Sequence, residues 1–420
     1  MSVAPPPGKR NLLRGFSGCI LPAFVPADHA MPKKKKLGKS SLPAVSSRDN
    51  SGTAKAQRII EFESLRGISA LGVILYHYTT RYNHIFQHRD PLWYHQNYHT
   101  FWNPMFFMIS GYLIYLILQK VETPLDFVSS RFSRLYPTYW FCLIVTFLVV
   151  RWAQLPFRQV PTADFFWNFL MFQEVLGNAN FVDGAYWTLT LELVFYASML
   201  ALLVVRQLHR VEFLVLAWVL MPLFFSQWGI PAFIYSSHTW RSLLMVDYSH
   251  YFGAGILIYR LRNDRVTVFR SLLLIACLAV PLLTRPAPEN WISLLGMVVF
   301  ILAAFQMLPP LRAKILLFFG SISYPLYLLH QNIGYAIIRY LNQNLGVNSN
   351  VAILAAIASM VAVATVVARL IEQPSLRFLR KLYNQRLRPM ISHRTQANTY
   401  PMGPLKRVRQ VCGDSRKKKE

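Results

Sequence analysis

The stretch Glu63-Ser-Leu-Arg66-Gly-Ile-Ser-Ala-Leu-Gly-Val-Ile-Leu-Tyr-His77 decides the fold: an arginine opens an apolar run and a histidine follows eleven residues later. On a helix this spacing is about 1100°, only ~20° more than three full turns, so Arg66 and His77 share one face, roughly 16 Å apart along the axis. If the helix crosses a bilayer, Arg66 lies at the headgroups and His77 near the middle of the hydrocarbon. An ionisable group at that depth is costly and indicates a functional site. The alternative is a histidine that bonds to a carbonyl of a neighbouring helix.

The composition predicts an all-α, polytopic integral membrane protein. Hydrophobic residues make up 54% of the 420 residues, and they fall in runs of roughly 15 to 22 residues, the length that spans a bilayer as a helix. Only helices and closed barrels satisfy their backbone hydrogen bonds in lipid, and the alternation of period two that a barrel needs is absent. About ten transmembrane helices are predicted, over residues 66–84, 101–119, 137–154, 186–206, 211–228, 248–261, 267–283, 291–308, 316–340 and 351–371. The shorter apolar run 165–172 is interpreted as a re-entrant or interfacial piece.

The net charge of +26 is concentrated at the two ends of the chain. Residues 1–58 and 377–420 together supply 20 of these charges, and they are predicted to be basic cytoplasmic tails on either side of a transmembrane domain of residues 59–376. The inward loops fit the positive-inside rule, and the arginines in outward loops are exceptions to it: Arg151, Arg158, Arg241 and Arg285. Basic tails also suit anionic lipid headgroups. No nucleic-acid partner is expected, because no aromatic or fold signature accompanies the basic runs.

The N-terminal tail is predicted to be disordered, with Met31 as an alternative start. The four cysteines are dispersed and predict neither a disulfide framework nor a zinc site. Histidines and aromatic residues crowd the loop after the first predicted helix. An interfacial aromatic belt explains them better than a metal, since no carboxylate pair accompanies them.

Polar residues inside or beside the apolar runs are the candidate site residues. Ser110 and Gly111 either contact a substrate or let two helices approach closely. Arg131 and Arg134, three residues apart, face the same way on a helical turn, where they clamp a phosphate or only mark the cytoplasmic side. Glu192 is a carboxylate about two turns into the bilayer, which requires a partner or a function.

A second group of polar residues lies towards the C-terminus. Tyr324, Tyr327 and His330 recur at every third position and form a polar stripe on an otherwise apolar helix. The sequence Glu372-Gln-Pro374 is predicted to end the last transmembrane helix at the inner interface, because proline stops a helix.

In these motifs the sequence resembles the membrane-bound acyltransferase-3 family, whose members O-acylate sugars on polysaccharides, lipopolysaccharide, peptidoglycan and antibiotics. The matching stretches follow the family's order over roughly 60–374: Leu65-Arg66-Gly67 through His77, Phe106-Phe107 to Ser110-Gly111-Tyr112, Arg131 and Arg134 to Pro137, Trp187-Thr-Leu through Glu192 to Phe195-Tyr196, Ser323-Tyr324 through Tyr327 to His330, and Glu372-Gln-Pro374. The chain departs from the family's pattern in its basic extension of residues 1–58. It also lacks the C-terminal extracytoplasmic domain of some members, which suggests a stand-alone enzyme.

The resemblance implies an O-acyltransferase in a bacterial inner membrane. An acyl group, expected to be acetyl, would pass from cytoplasmic acyl-coenzyme A to a sugar hydroxyl of an envelope or exported polysaccharide or glycoconjugate. The expected partners are therefore the lipid bilayer, acyl-coenzyme A as co-substrate and a carbohydrate acceptor, with no bound cofactor and no metal.

The resemblance also assigns roles to the candidate residues. The anionic donor would be held by Arg66, Arg131, Arg134, Ser110 and Gly111. The expected catalytic residues are His77, Arg66 and Glu192: His77 as general base on the acceptor hydroxyl or as transient acyl carrier, and Glu192 or another buried acid as the group that orients it. The acceptor path would be lined by Tyr324, Tyr327 and His330.

Two other classes of protein compete with this interpretation. In a transporter or flippase, His77, Glu192 and His330 would form a proton relay across the bilayer. No internal repeat supports it, and the Arg131–Arg134 pair would have no purpose. A non-catalytic scaffold would leave the ionisable groups in the apolar runs unexplained. The sequence does not identify the acceptor, the acyl chain length or the oligomeric state.

Overall fold

The computed structural model describes residues 59–389, apart from 99, 178–179, 230 and 232–237, and all regular structure in this part of the chain is helical. The tail predicted for residues 1–58 and the last part of the tail predicted for 377–420 lie outside the described residues. In chain order the helices are α1 (Ile60–Tyr76), α2 (Tyr82–Phe86), α3 (Trp102–Leu118), α4 (Pro124–Trp152), α5 (Thr162–Asn168), α6 (Trp187–Val204), α7 (Val211–Trp228), α8 (His238–Leu244), α9 (Ser249–Asn263), α10 (Val268–Thr284), α11 (Glu289–Ala304), α12 (Lys314–Gln343), α13 (Ser349–Val367) and α14 (Gln373–Leu382).

A helix lies in each of the ten segments that the sequence predicts to cross the membrane. Among the described residues, four helical stretches are long and apolar enough to span a bilayer: Pro124–Trp152, Gly184–Val204, Leu208–Trp228 and Ser349–Leu387. Shorter apolar helices accompany them. The prediction of an all-α membrane protein is confirmed, whereas the number of crossings and the orientation of the termini stay predictions.

Helix α4 begins well before residue 137, where the sequence analysis places its start. Thr123 and Asp126 form a capping box: Oγ1 of Thr123 accepts from the Asp126 N–H at 3.2 Å, and Oδ2 of Asp126 accepts from the Thr123 N–H at 2.9 Å. Pro124 occupies the first turn, where its missing N–H removes no helical bond. Arg131 and Arg134 therefore lie on α4 itself, on the same rigid element as Pro137.

The prediction that proline ends the helix at Pro374 is wrong. A π-helical turn, Ala368–Glu372, follows α13, and α14 then continues through Pro374. A π-turn changes the hydrogen-bonding register, and the proline falls in the first turn of α14, where it is tolerated. Glu372 is consequently held by helix on both sides.

Helix α12 lies at the centre of the bundle, packed against α1, α4 and α13. Every residue from Ile322 to Tyr335 is buried. A helix that is buried all round is an interior element. Side chains from α12 can therefore meet side chains from several neighbouring helices.

Glycines allow α1 and α12 to approach closely. A Cβ added to Gly320 would collide with the backbone carbonyl of Glu63, and one added to Gly67 would collide with the backbone of Phe319 and Gly320. Small residues at a helix contact allow the backbones to come together in this way. This contact places the side chains of α1 that follow Gly67 beside those of α12.

Large apolar side chains are exposed on the outside of the bundle. Leu148, Phe213, Leu220, Leu272 and Leu354 are among them, on helices α4, α7, α10 and α13. Apolar surface of this extent is unfavourable in water and is solvated by lipid in an integral membrane protein.

Candidate active site

The backbone changes its hydrogen-bonding pattern at His77. Helix α1 ends at Tyr76, and the five residues His77–Arg81 form a π-helical turn before α2. The Nε2 of His88 lies 2.9 Å from the carbonyl oxygen of Tyr78 and 3.2 Å from that of Thr79. Since carbonyl oxygens only accept hydrogen bonds, the His88 ring donates to both from Nε2. π-turns occur frequently at functional sites, and His88 stabilises this one from the loop that follows.

His88 is neutral in this arrangement. Its Nδ1 is buried and has no hydrogen-bond partner among the described residues. Burial lowers the pKa of His88 below its ordinary value of 6.5, and the two carbonyl contacts only partly offset this effect.

A histidine pair connects the π-turn after α1 to α12. Nδ1 of His77 lies 2.7 Å from Nε2 of His330, and the two ring planes are parallel within 6° with centroids 4.9 Å apart. His330 is fully buried, whereas His77 is half-buried. The Tyr78 hydroxyl donates to the carbonyl oxygen of His330 at 2.7 Å, which fastens the two helices together one residue away from the pair.

The surroundings of His330 assign the protons in this pair. Its Nδ1 lies 2.7 Å from the carbonyl oxygen of Tyr327, so Nδ1 carries a proton. An imidazolium buried without a carboxylate partner would be costly, which favours a neutral ring with Nε2 as acceptor. Nδ1 of His77 therefore donates to His330, and Nε2 of His77 carries the lone pair that can accept a proton.

One cavity, here the arginine cavity, is lined by most of the predicted donor-binding residues. It contains Arg66, Ser110, Arg131, Arg134, Glu192 and Tyr324. Five helices contribute to it: α1, α3, α4, α6 and α12. Three guanidinium groups on one cavity wall suit an anionic ligand.

The two arginines of α4 have different partners. Arg134 forms an ion pair with Glu372, whose side chain is 5% exposed. Arg131 donates to the Ser130 hydroxyl at 2.9 Å, and its Nε is buried without a partner among the described residues. Arg134 thus ties α4 to the π-turn after α13, while Arg131 retains an unsatisfied donor for a ligand.

Glu192 lies in the arginine cavity and accepts hydrogen bonds from two hydroxyl groups. Ser110 donates to its Oε1 at 3.0 Å, and Tyr196 donates to the same oxygen. His77 is hydrogen-bonded to His330, and the orienting role expected of Glu192 or another buried acid stays a prediction. Gly111 does not line the cavity, and a Cβ on it would collide with the Phe252 carbonyl, so it packs α3 against α9.

A second cavity, here the histidine cavity, contains His77. It is also lined by Arg81, Arg158, Trp187 and Gln331. Asn103 and Tyr327 line both cavities. The arginine cavity and the histidine cavity are therefore adjacent, and Asn103 and Tyr327 lie between them.

The predicted stripe on α12 divides between the two cavities. Tyr324 lies in the arginine cavity, where the guanidinium carbon of Arg134 is 5.8 Å from the centre of its ring. Tyr327 donates to the Ala185 carbonyl at 3.0 Å and is within 2.8 Å of the Thr188 hydroxyl. His330 contacts His77. Residues three apart on a helix turn gradually around it, so the stripe does not face a single cavity.

Sequence reasoning missed three residues that line the cavity of His77, namely Asn103, Arg158 and Gln331, and it also missed the buried carboxylate of Asp183. Asp183 is fully buried, and its carboxylate accepts from the N–H groups of Ala185 at 2.9 Å and Asn332 at 3.0 Å. The position of Arg158 as an exception to the positive-inside rule is the one signal that points to it. The described residues contain no group of three or more histidine, cysteine, aspartate or glutamate side chains that could hold a metal ion.

Comparison with known proteins identifies the family of the chain. A family model for an acyltransferase domain, that of the acyltransferase 3 family, matches residues 59–369, which is more than half of the chain. No curated protein and no solved structure matches the chain. The matched region begins beside α1 and includes both cavities.

Proposed function

The chain belongs to the acyltransferase 3 family and is an acyltransferase, and on that premise we propose that it transfers an acetyl group from acetyl-coenzyme A to a sugar hydroxyl. The acceptor is part of an envelope or exported polysaccharide or glycoconjugate. The protein acts in a bacterial inner membrane with both termini in the cytoplasm. The coenzyme A donor enters the arginine cavity, and the acceptor enters the histidine cavity.

The observation that carries the proposal is the pair of residues shared by the two cavities. Because Asn103 and Tyr327 line both, a thioester reaching past them from the arginine cavity arrives beside His77. The phosphates of coenzyme A would pair with Arg66 and Arg131, whose planar guanidinium groups match two oxygens at once. Arg134, already paired with Glu372, contributes positive charge to the same wall.

His77 supplies the proton chemistry of the proposed reaction. Its Nε2 accepts the proton of the acceptor hydroxyl as the hydroxyl oxygen attacks the thioester carbonyl carbon. The carbon–sulfur bond breaks, and the departing thiolate takes the proton from Nε2. In the two-step version, Nε2 attacks the thioester carbonyl carbon, the carbon–sulfur bond breaks and the thiolate departs. The acceptor hydroxyl oxygen then attacks the acyl carbon, the carbon–nitrogen bond to Nε2 breaks, and the hydroxyl proton passes through the freed Nε2 to the thiolate. His330 holds the His77 ring in the tautomer that both versions require, and the positive charge that develops on His77 is shared through the hydrogen bond between them.

Labelled acetyl-coenzyme A incubated with the purified protein and a pool of envelope glycans tests this function. The expected result is release of free coenzyme A thiol in step with the appearance of label in glycan. Label retained on the protein when the acceptor is omitted would identify the two-step version. Absence of thiol release with every acyl donor and every glycan fraction would contradict the proposal, and proton-coupled flux in proteoliposomes would then support the transporter alternative.

A further inference from the structure

The histidine cavity is positively charged. Arg81 and Arg158 line it together with His77, and the described residues that line it include no carboxylate. A concave site that is lined by two guanidinium groups and by no carboxylate favours an anionic ligand. This cavity is distinct from the arginine cavity to which the donor phosphates are assigned.

Arg158 has unsatisfied hydrogen-bond donors. Its Nε and Nη2 are buried and have no partner among the described residues, while its guanidinium carbon lies 5.4 Å from the centre of the Tyr335 ring. Asp183 is the buried carboxylate in this neighbourhood, but the hydrogen bonds of its two oxygens come from the backbone of Ala185 and Asn332. A buried charged donor without a partner is costly, and a bidentate oxyanion would satisfy both nitrogen atoms at once.

Gln331 supplies an independent observation in the same cavity. Its side chain is 3% exposed, and its Oε1 is buried without a partner among the described residues. The amide lies over Gly184, where an added Cβ would be 3.0 Å from Oε1. A buried acceptor atom in a cavity wall fits a hydroxyl donor of a ligand.

We propose that the histidine cavity binds a sugar carrying a carboxylate or a phosphate, which Arg158 and Arg81 hold beside the hydroxyl that His77 deprotonates. Gln331 accepts a hydrogen bond from another hydroxyl of the same sugar. This inference names the acceptor class and therefore rests on the proposed acyltransferase function.

The test uses the purified full-length protein, labelled acetyl-coenzyme A and an envelope glycan pool separated by anion exchange into neutral and acidic fractions. The expected result is that label enters the acidic fractions at least tenfold faster than the neutral ones. Phosphatase treatment or carboxyl reduction of the acidic fraction before the assay then identifies which anion is recognised. Equal labelling of neutral and acidic glycans would overturn the inference while leaving the acyltransferase intact, whereas no release of thiol with any fraction would overturn the proposed function itself.

Variants of Arg158 test whether this residue recognises the anionic group of the glycan. Arg158→Gln is expected to raise the KM for the acidic glycan tenfold or more while the KM for acetyl-coenzyme A stays within twofold. Arg151→Gln, an exposed arginine at the end of α4, is the matched control and is expected to behave as wild type. Arg158→Lys keeps the charge, and its KM for the acidic glycan is expected to lie between the values of Arg158→Gln and the control. This intermediate value would separate a loss of binding from a loss of folding. A rise in the KM for acetyl-coenzyme A alone would show that the histidine cavity binds the donor and would overturn the inference.

Discussion

Nδ1 of His77 lies 2.7 Å from Nε2 of His330, and this hydrogen bond joins residues 253 positions apart in the chain. The ring planes differ by 6°, so the π-turn after α1 and helix α12 present the two imidazoles edge to edge in nearly the same plane, as an N–H···N hydrogen bond requires. The partner that orients the proposed base is thus another histidine, which is itself fixed by the Tyr327 carbonyl. His330 acts as a positioning residue in this account, since it acts through His77.

Replacing His330 tests that positioning role. His330→Phe removes the acceptor for Nδ1 of His77 and should lower kcat by roughly 10²-fold. Without this partner, His77 also adopts the tautomer with the proton on Nε2, which cannot accept a proton from the hydroxyl. His330→Gln keeps an acceptor oxygen and should retain more activity than the phenylalanine variant. The pH profile of kcat should shift in His330→Phe, which a purely structural defect would not produce. Wild-type kcat and pH profile in both variants would contradict the assignment.

The ion pair between Arg134 and Glu372 predicts a difference between the two arginines of α4. Arg134→Gln leaves a carboxylate buried without its partner and should lower the free energy of unfolding by about 2–3 kcal/mol, less than for a fully buried pair because 28% of the Arg134 side chain is exposed. The double variant Arg134→Gln/Glu372→Gln should recover most of this loss. Thermal unfolding in detergent measures both effects.

Arg131 is the matched comparison for that experiment. Because Arg131 has no ion pair in the described part of the chain and keeps a buried unpartnered Nε, Arg131→Gln should change stability little. It should instead raise the KM for acetyl-coenzyme A about tenfold, which corresponds to the loss of one charge-assisted hydrogen bond. Equal losses of stability in Arg131→Gln and Arg134→Gln would contradict the distinction.

His88 predicts a pH dependence of stability. Burial lowers its pKa in the folded protein below the ordinary value of 6.5, so the unfolded chain binds a proton more readily as the pH falls. The stabilising contribution is complete above pH ~6.5 and is lost on acidification below it. His88→Gln removes this titration while keeping a donor for one carbonyl of the π-turn. Between pH 7.5 and 5.5, the apparent Tm of the wild type should therefore fall further than that of His88→Gln, and parallel curves would contradict the prediction.

The close contact of α1 with α12 predicts that Gly320 cannot be enlarged. Gly320→Ala would place a Cβ against the Glu63 carbonyl, separating the helices and with them the His77–His330 pair. Activity should fall at least tenfold, with a lower Tm, as expected for overpacking of a tight contact. Gly296→Ala is the control, because its added Cβ would lie 3.2 Å from the nearest atom. This variant should lower activity and Tm much less than Gly320→Ala. Equal activity and Tm in the two variants would show that the contact is not essential.

Local periodicity explains what could be predicted from the sequence. The spacing of Arg66 and His77 places them along one face of α1 because three turns of helix return almost to the starting direction, and the structure has them in two cavities that share Tyr327. The arginines of α4 reach the same cavity as Arg66. These relationships depend on short stretches of chain and on residue type.

Other features depend on tertiary packing, which the sequence alone does not reveal. The hydrogen bond between His77 and His330 joins residues 253 positions apart in the chain, and the spacing of neither residue indicates it. The orienting role of Glu192 or another buried acid stays a prediction. The π-turn at His77–Arg81 has no propensity signal, because it depends on a change of hydrogen-bond register that His88 stabilises from outside the helix. The interpretation of Pro374 as the end of the helix failed for the same reason, because the π-turn before it allows the helix to continue.

The most direct test of the account is the initial rate of acetyl transfer from acetyl-coenzyme A by His77→Ala, measured beside wild type and the control His84→Ala, an exposed histidine on α2. His77→Ala is expected to lose 10²- to 10⁴-fold in kcat, the range for removal of a general base, and to lower Tm only by the amount that one lost hydrogen bond to the buried His330 explains, while His84→Ala matches wild type. A His77→Ala protein that retained more than about a tenth of the wild-type rate would contradict the assignment of His77 as the group that activates the acceptor.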